Sequence, residues 1–228
     1  MTAAQSSIAS PGRSAALRVL CEGPTEQNFV TQVLRPHLSG YRVFAQAEPL
    51  CRGRSGVVRW EALYAAIKAD VGRSREHEYV TTLLDLYALP DYPGDAKAQG
   101  KKGALRAEGI EAAMANALPS PRFIPYVQVH EFEALVFVDL DELPSAFPDG
   151  EAEGAPAALR RDLGDLAPEE INDHPETAPS KRLLRAVPAY KKPIAGPQIA
   201  ARIGLPRLRA ACPHFNGWLE KLEKLAAT

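Results

Sequence analysis

Short apolar runs alternate with amphipathic helical patterns along the first 140 residues of the chain. Three runs have the length and β-branched or apolar composition of strands: residues 17–21, 79–84 and 123–129. Three stretches repeat apolar residues at helical spacing: residues 29–38, 57–71 and 103–118. A further strand is expected within residues 41–47. This alternation predicts an α/β fold with a mainly parallel sheet flanked by helices.

The pattern also divides the chain. Residues 1–15 are small and polar and are expected to form a disordered lead-in, followed by the α/β domain over residues 16–140. Residues 141–228 are rich in proline and glycine at first and end in a helical pattern, which predicts a helical, loop-rich extension packed on the same domain. The composition, with 46% hydrophobic and 24% charged residues, is that of a globular protein.

Acidic residues follow each of the three strand runs. Glu22 precedes Gly23 and a helix start, Asp85 ends the second run, and His130-Glu131 and Glu133 follow the third. Because the carboxyl ends of parallel strands meet at one edge of a sheet, these side chains are expected to converge. The structural alternatives are that Glu22 is a favourable charge at a helix N-terminus and that His130 is a core or capping histidine.

Carboxylates gathered at one edge repel one another unless they are protonated or neutralised by a cation. Oxygen ligands favour Mg²⁺ or Mn²⁺, which predicts a metal site made by Glu22, Asp85, Glu131 and Glu133. Such a metal can activate water for phosphodiester hydrolysis, with His130 or Glu131 as a catalytic group. The chain has no HExxH, GxxxxGK[ST] or GxGxxG motif, so the sequence does not support a zinc hydrolase, a P-loop ATPase or a dinucleotide-binding protein.

Basic residues are candidates for holding a phosphate-bearing substrate. Arg52 and Arg54 lie in a glycine-containing segment, and Lys181 and Arg182 begin a basic stretch near the C-terminus. The net charge is −1, so binding of nucleic acid would need a local basic patch. The alternative is that these residues form an ordinary solvated surface.

Five blocks of the chain resemble, in order, those of the domain-of-unknown-function 4276 family: residues 22–26, 85–90, 130–134, 177–183 and 212–215. That family looks like a relative of the Toprim fold of topoisomerases, primases and some nucleases. The resemblance implies that Glu22 and Asp85 hold Mg²⁺ and that Lys181 either pairs with a phosphate or, as a catalytic residue, stabilises the developing charge. Tyr87 stands where the second aspartate of the Toprim Asp-x-Asp motif is expected, so Glu131 or Glu133 would have to supply that ligand.

The sequence and the resemblance together predict a metal-dependent nuclease acting on DNA or RNA, in a bacterial defence module with an ATPase partner. The alternatives are a non-catalytic module that docks nucleic acid or protein, with a decayed metal site, and a hydrolase of small phosphoesters. No apolar run approaches the roughly 18 residues that span a membrane, so no membrane contact and a cytoplasmic location are expected. The sequence is also compatible with a homodimer.

Overall fold

A parallel sheet forms the centre of the computed structural model, which describes residues 13–50, 59–89, 92–95, 102–171, 174 and 176–227. Within these residues the strands are β1 (Ala15–Cys21), β2 (Val43–Pro49), β3 (Glu78–Asp85), β4 (Phe123–Ile124) and β5 (Val127–Gln128). Their order is β2-β1-β3-β4, and β5 also pairs with β3. Every pairing is parallel, which confirms the predicted α/β fold with a mainly parallel sheet.

The third predicted strand is divided at Pro125. Proline has no amide hydrogen to donate to a ladder, and the sequence predicts a bulge or an edge position there. In the structure the strand breaks into β4 and β5, and Thr82 of β3 fills the gap. Its hydroxyl accepts from the Tyr126 amide at 2.9 Å and donates to the Tyr126 carbonyl at 2.8 Å.

The first crossover is a helix in three pieces. Helix α1 (Pro24–Phe29) continues through a π turn (Val30–Leu34) into α2 (Arg35–Ser39). Pro36 lacks an amide hydrogen and its ring crowds the preceding turn of an ordinary α-helix, so a wider π turn accommodates it. On the other side of the sheet lie α3 (Trp60–Arg73) and α4 (Gly103–Ala117).

The C-terminal part consists of short helices. Two 3₁₀ segments (Phe132–Val138 and Leu140–Ala146) follow the sheet, and a third spans Pro168–Glu170. The α-helices of this part are α5 (Ala155–Leu163), α6 (Pro179–Ala186), α7 (Lys192–Ile203), α8 (Leu205–Ala211) and α9 (Pro213–Glu223). None of the described helices is both long and apolar enough to cross a membrane.

Each face of the sheet is covered by its own apolar cluster. Leu17 and Val19 of β1 point into the cluster that holds α1, α2 and the C-terminal helices, whereas Leu20 points into the cluster under α3 and α4. This alternation is the period of two expected of a strand that is buried on both faces. Trp218 of α9 is 2% exposed and its indole donates to the Thr81 hydroxyl of β3 at 2.9 Å, so the C-terminal helices pack directly on the sheet.

The described residues after β3 are more ordered than the sequence suggests. The prolines, glycines and lysines of residues 86–102 predict a long mobile loop. Among the described residues, however, a 3₁₀ turn (Leu86–Ala88) follows β3, and Leu89 and Tyr92 are buried. Asp95 forms a two-pronged ion pair with Arg106 of α4, at 2.7 and 2.8 Å. This ion pair therefore holds the end of residues 92–95 against α4.

Candidate functional site

Glu22 and Asp85 lie side by side at the carboxyl edge of the sheet. In β1 and β3, Cys21 is paired with Leu83, so the residues that follow both strands emerge at the same level. The Asp85 amide donates to Oε2 of Glu22 at 3.3 Å. The strand ends thus bring together the two carboxylates that the sequence places there, in the region where open α/β sheets form their sites.

The turn that follows β5 adds two further acidic side chains. The Phe132 amide donates to Oδ1 of Asp85 at 2.8 Å, which joins this turn to β3. Glu131 is 6% exposed, and its Oε2 accepts from the Ser180 amide at the start of α6, at 2.9 Å. Glu133 is 1% exposed, and its Oε2 lies near the same lysine, Lys192, as Oε2 of Glu131 does. All four predicted metal ligands therefore belong to one edge of the molecule.

Glu26 is a fifth carboxylate that the sequence reasoning did not assign to the site. Its Oε2 accepts from the Gly23 amide at 2.8 Å, which closes the first turn of α1. Burial raises the pKa of Glu26 to about 7, and the charges of Glu22 and Glu133 act in the same direction. The signal was present in the sequence, because a glutamate three residues after a helix cap faces back toward that cap.

Lys192 provides the positive charge of this cluster and was also missed. Its Nζ lies 3.2 Å from Oε2 of Glu133 and 3.9 Å from Oε2 of Glu131. Burial lowers the pKa of Lys192, but the charges of Glu133, Glu131 and Asp85 outweigh burial and raise it. A lysine in the first turn of a helix interacts unfavourably with the helix dipole. The neighbouring carboxylates therefore stabilise the charge of Lys192 at this position.

Helix α7 carries Lys192 into the cluster by close packing. The Asn28 side chain of α1 donates to the Pro193 carbonyl at 2.8 Å, which fixes the start of α7 against α1. Gly196, one turn later, permits contact with the far wall of the site: a Cβ there would lie 2.9 Å from the Tyr190 hydroxyl and 3.1 Å from the Phe132 ring. The absence of a side chain at Gly196 therefore lets α7 approach the turn that holds Glu131 and Glu133.

Mutual repulsion and burial dominate the electrostatics of the cluster. Burial raises the pKa of Asp85 well above its usual value, and the charges of Glu26, Glu22, Glu133 and Glu131 raise it further. Burial likewise raises the pKa values of Glu22 and Glu133, although Lys192 opposes the shift in both. The cluster therefore favours either a proton or a further cation.

The donor atoms fit a hard cation, but the carboxylates are not arranged around one. Among the described residues, no group of three or more His, Cys, Asp or Glu side chains is placed to hold a metal ion. One oxygen each of Glu22, Asp85 and Glu131 is already held by a backbone amide. Oε1 of Glu133, by contrast, is buried without a hydrogen-bond partner, and an oxygen ligand of this kind suits Mg²⁺ or Mn²⁺.

The Tyr190 hydroxyl is a second buried polar group of this site, and it interacts with Glu133. Tyr190 is 3% exposed and precedes α7. Burial raises the pKa of Tyr190, followed by the negative charges of Glu133 and Glu131, so the hydroxyl stays protonated and can serve as a donor.

The remaining predicted site residues lie in different surroundings. His130 adopts a left-handed backbone with φ of 61°, and its ring Nε2 lies 3.0 Å from the Glu169 carbonyl. Lys181 is exposed and forms no ion pair with any described residue. Arg182 is buried, donates to the Thr177 carbonyl at 2.8 Å and pairs with Asp162. The predicted substrate ligands Arg52 and Arg54 lie outside the described residues.

His130 and Arg182 share a cavity of about 860 Å³. Its walls include the start of α4 and the residues around Pro168–Glu170, and two exposed leucines, Leu105 and Leu166, stand among its lining residues. His130 thus borders this cavity, whereas Glu131, the next residue, contacts Lys192 and the start of α6.

Comparison with known proteins places the chain in a family. The model of a family described as a domain of unknown function (DUF4276) matches residues 21–223, from the end of β1 to the end of α9. No curated protein and no solved structure matches the chain. The matched span contains every carboxylate of the cluster and Lys192. The chain therefore belongs to the domain of unknown function 4276 family.

Proposed function

We propose that the chain is a metal-dependent nuclease, a Toprim-like phosphodiesterase that uses Mg²⁺ or Mn²⁺. The observation that carries this proposal is the convergence of buried and half-buried carboxylates at the carboxyl edge of the sheet, where Lys192 contacts two of them. The cluster consists of Glu22, Glu26, Asp85, Glu131, Glu133 and Lys192. A single ammonium cannot neutralise this many carboxylates, and a divalent cation would lower the raised pKa values.

The ligands would come from Glu22, Asp85, Glu131 and Glu133, whose oxygens match the preference of Mg²⁺. When bound, the metal would polarise a phosphate oxygen and acidify a water molecule. Binding requires the carboxylates to rotate from their present positions, and Glu133 would have to exchange its contact with Lys192 for one with the metal.

The residues of the chain contribute position and charge to this chemistry. The amides of Phe132 and Ser180 orient Asp85 and Glu131 from outside the cluster. Lys192, whose side chain is 39% exposed, can bind a phosphate oxygen of the substrate once Glu133 turns away. Glu26, with a pKa of about 7, can exchange a proton near neutral pH.

The Toprim resemblance extends the proposal beyond the site. Nucleic acid, DNA or RNA, is the substrate that it implies, and an ATPase encoded beside such proteins in bacterial defence modules is the implied partner. Both follow from the resemblance and not from a contact of the described residues. Four residues stay predicted contributors: His130, Lys181, Arg52 and Arg54. His130 directly precedes Glu131, and Lys181 directly follows Ser180, whose amide donates to Glu131.

The proposal is tested by metal binding and cleavage in the same buffers. We expect the parent chain to bind Mn²⁺ in calorimetry and to cut a DNA or RNA substrate with Mg²⁺ or Mn²⁺. Asp85→Asn and Glu22→Gln should each reduce cleavage by at least about 100-fold, because each removes a charge that holds the metal. Glu61→Gln, on the exposed side of α3, is the matched control and should cut like the parent. Equal cleavage by all four proteins would contradict the assignment.

A second candidate is a docking module that binds nucleic acid or protein without catalysis. It is favoured by the absence of a metal-holding group among the described side chains and by Tyr87, which is 39% exposed, in place of a second aspartate. Nucleic-acid binding that persists in a chelator, falls steeply with salt and is unchanged in Glu22→Gln would support this candidate. Activity on nucleotides but not on polynucleotides would instead indicate a small-phosphoester hydrolase.

A further inference from the structure

A second cavity, lined by several basic side chains, lies at the opposite edge of the sheet, where the strands begin. It has a volume of about 580 Å³ and is lined by residues from three parts of the fold. Arg13 precedes β1, His77 and Tyr79 lie at the start of β3, and Arg122 precedes β4. The C-terminal end of α9 contributes Lys221 and Lys224.

The cavity is far from the acidic cluster. β3 has eight residues, which at roughly 3.3 Å per residue separate its two ends by about 25 Å. Glu22 and Asp85 stand at one end of the strands, and Arg13 and Arg122 stand at the other. A single phosphate therefore cannot contact both, and the cavity is a separate site.

Positive charge in this cavity is not neutralised by the protein. Arg13, Lys221 and Lys224 are exposed, and within the part of the chain that the structure describes none of them forms an ion pair. One nitrogen of Arg122 donates to the Ser74 carbonyl at 2.9 Å, which fixes the side chain and keeps its charge. The carboxylate among the lining residues, Glu76, is 85% exposed and lies 3.5 Å from His77.

The helix dipole does not account for this arrangement. Lysines are favoured at the last turn of a helix, which would explain Lys221 and Lys224 on α9 taken alone. Arg13 and Arg122, however, come from the starts of two strands and line the same cavity. Four cationic side chains from three parts of the fold line this cavity, although the net charge of the chain is −1. They therefore form a local patch of positive charge.

We propose that this cavity binds a ligand with two or more phosphate groups, from a nucleotide or from a nucleic-acid strand. Arginine guanidinium groups fit phosphate oxygens in pairs, and the lysines add point charges. The hydroxyls of Tyr79 and Ser120, which also line the cavity, are further donors to phosphate oxygens. The volume lies within the range of about 300–1,000 Å³ of small-ligand pockets. This site is independent of the proposed metal-dependent cleavage.

The test is calorimetry on the full chain in a chelator, at about 50 mM salt, where screening is moderate. The probes are inorganic tripolyphosphate, ATP and a short single-stranded oligonucleotide. The double variant Lys221→Gln/Lys224→Gln removes two exposed charges, since the buried face of α9 is formed by other residues. The control Lys68→Gln/Arg161→Gln removes the same charge from exposed positions on α3 and α5.

We expect tripolyphosphate to bind the parent and the control alike and to bind the α9 double variant about tenfold or more weakly. ATP binding more tightly than tripolyphosphate would identify a nucleotide as the source of the phosphates. An oligonucleotide binding most tightly, with a steep salt dependence, would identify a nucleic-acid strand. Absence of binding to all three probes, or equal weakening in both double variants, would overturn the proposal. Because the assay contains no metal, its outcome is separate from that of the cleavage assay.

Discussion

At the scale of single residues, the site shows which side chains local patterns can identify. Glu22 and Asp85 each follow an apolar run, and the topology of parallel strands then brings them together, so both could be predicted. Lys192 could not, because it is one of a pair of lysines that two prolines follow within a helical segment, which is a pattern typical of an ordinary surface. Its role depends on where α7 docks, more than 50 residues after the carboxylate it contacts.

Charge pairing at a single histidine gives a pH dependence that can be measured. Burial lowers the pKa of His214, but its hydrogen bond to Glu111, at 2.9 Å, and the charge of Glu111 outweigh burial and raise it above the usual 6.5. Since the folded pKa is the higher one, the pair stabilises the fold fully below the unfolded pKa, and this stability is lost as pH rises through the folded pKa.

We therefore expect the free energy of unfolding to fall as pH rises above about 6.5, and to fall less in Glu111→Gln. The glutamine keeps an oxygen that can accept from the Val127 amide, as Glu111 does at 2.8 Å, so the variant removes mainly the charge. Denaturant unfolding from about pH 6, just below the usual histidine pKa, to about pH 9 measures the dependence of the free energy of unfolding on pH. Glu61→Gln is the control. An identical slope in parent and Glu111→Gln would contradict the assignment.

At the scale of secondary structure elements, the sequence pattern predicts the type of an element better than it predicts how the element packs. The helices at residues 60–73 and 103–117 and the strand before Asp85 follow from hydrophobic periodicity. The segment after Asp85 does not, because its prolines, glycines and charges are typical of a loop, although Leu89 and Tyr92 are buried and Asp95 pairs with Arg106 of α4. Periodicity contains no information about an ion pair or a close backbone contact that forms only in the folded chain.

The contact between Gly94 and Gly109 is the clearest case of such packing. A Cβ at Gly109 would lie 2.6 Å from the Gly94 carbonyl oxygen, and a Cβ at Gly94, where φ is +80°, would lie 2.1 Å from the Gly109 carbonyl oxygen. These atoms belong to the backbone, so no side-chain rotation can relieve the overlap. The two glycines allow residues 92–95 to lie directly on α4.

We expect Gly109→Ala to destabilise the fold by about 1–3 kcal/mol, the usual cost of overpacking, reduced by up to about 1 kcal/mol through the better helix propensity of alanine. Gly217→Ala in α9 is the matched control, since its Cβ would meet nothing within 4 Å and only the propensity gain applies. Denaturant unfolding should show opposite signs for the two substitutions. Stabilisation by both would show that the segment moves away without cost.

At the scale of the whole molecule, opposite charges occupy opposite edges of the sheet. Half-buried carboxylates, Glu22 and Asp85, lie at the carboxyl ends of β1 and β3, and the basic cavity lies at the amino ends of these strands. Placing like charges together in the interior lowers the stability of the folded chain, and natural proteins commonly accept this at sites that bind ligands. The acidic edge should therefore limit the stability of the chain until a cation binds.

Substitution of Asp85 tests whether repulsion at the acidic edge lowers stability until a cation binds, because burial and four neighbouring carboxylates raise the pKa of Asp85. Asp85→Asn keeps an oxygen that can accept from the Phe132 amide and removes the charge. Without metal at pH 8, where ionisation of the folded cluster is most complete, we expect this variant to melt at a higher temperature than the parent. Mn²⁺ at 100 times its Kd should stabilise the parent by about 2.7 kcal/mol and should leave the variant nearly unchanged.

Thermal unfolding with and without Mn²⁺ measures both effects, and Asp149→Asn, at an exposed position, is the control for loss of one negative charge. Two results together identify a cation site: a metal-free gain in Asp85→Asn and loss of the metal-dependent rise. A metal-free gain without any metal response in the parent would mean that Lys192 alone serves as counterion to the cluster, which is what the docking module requires. A loss of stability in Asp85→Asn would show that the charge of Asp85 is itself stabilising, and the repulsion inferred for this edge would then be wrong.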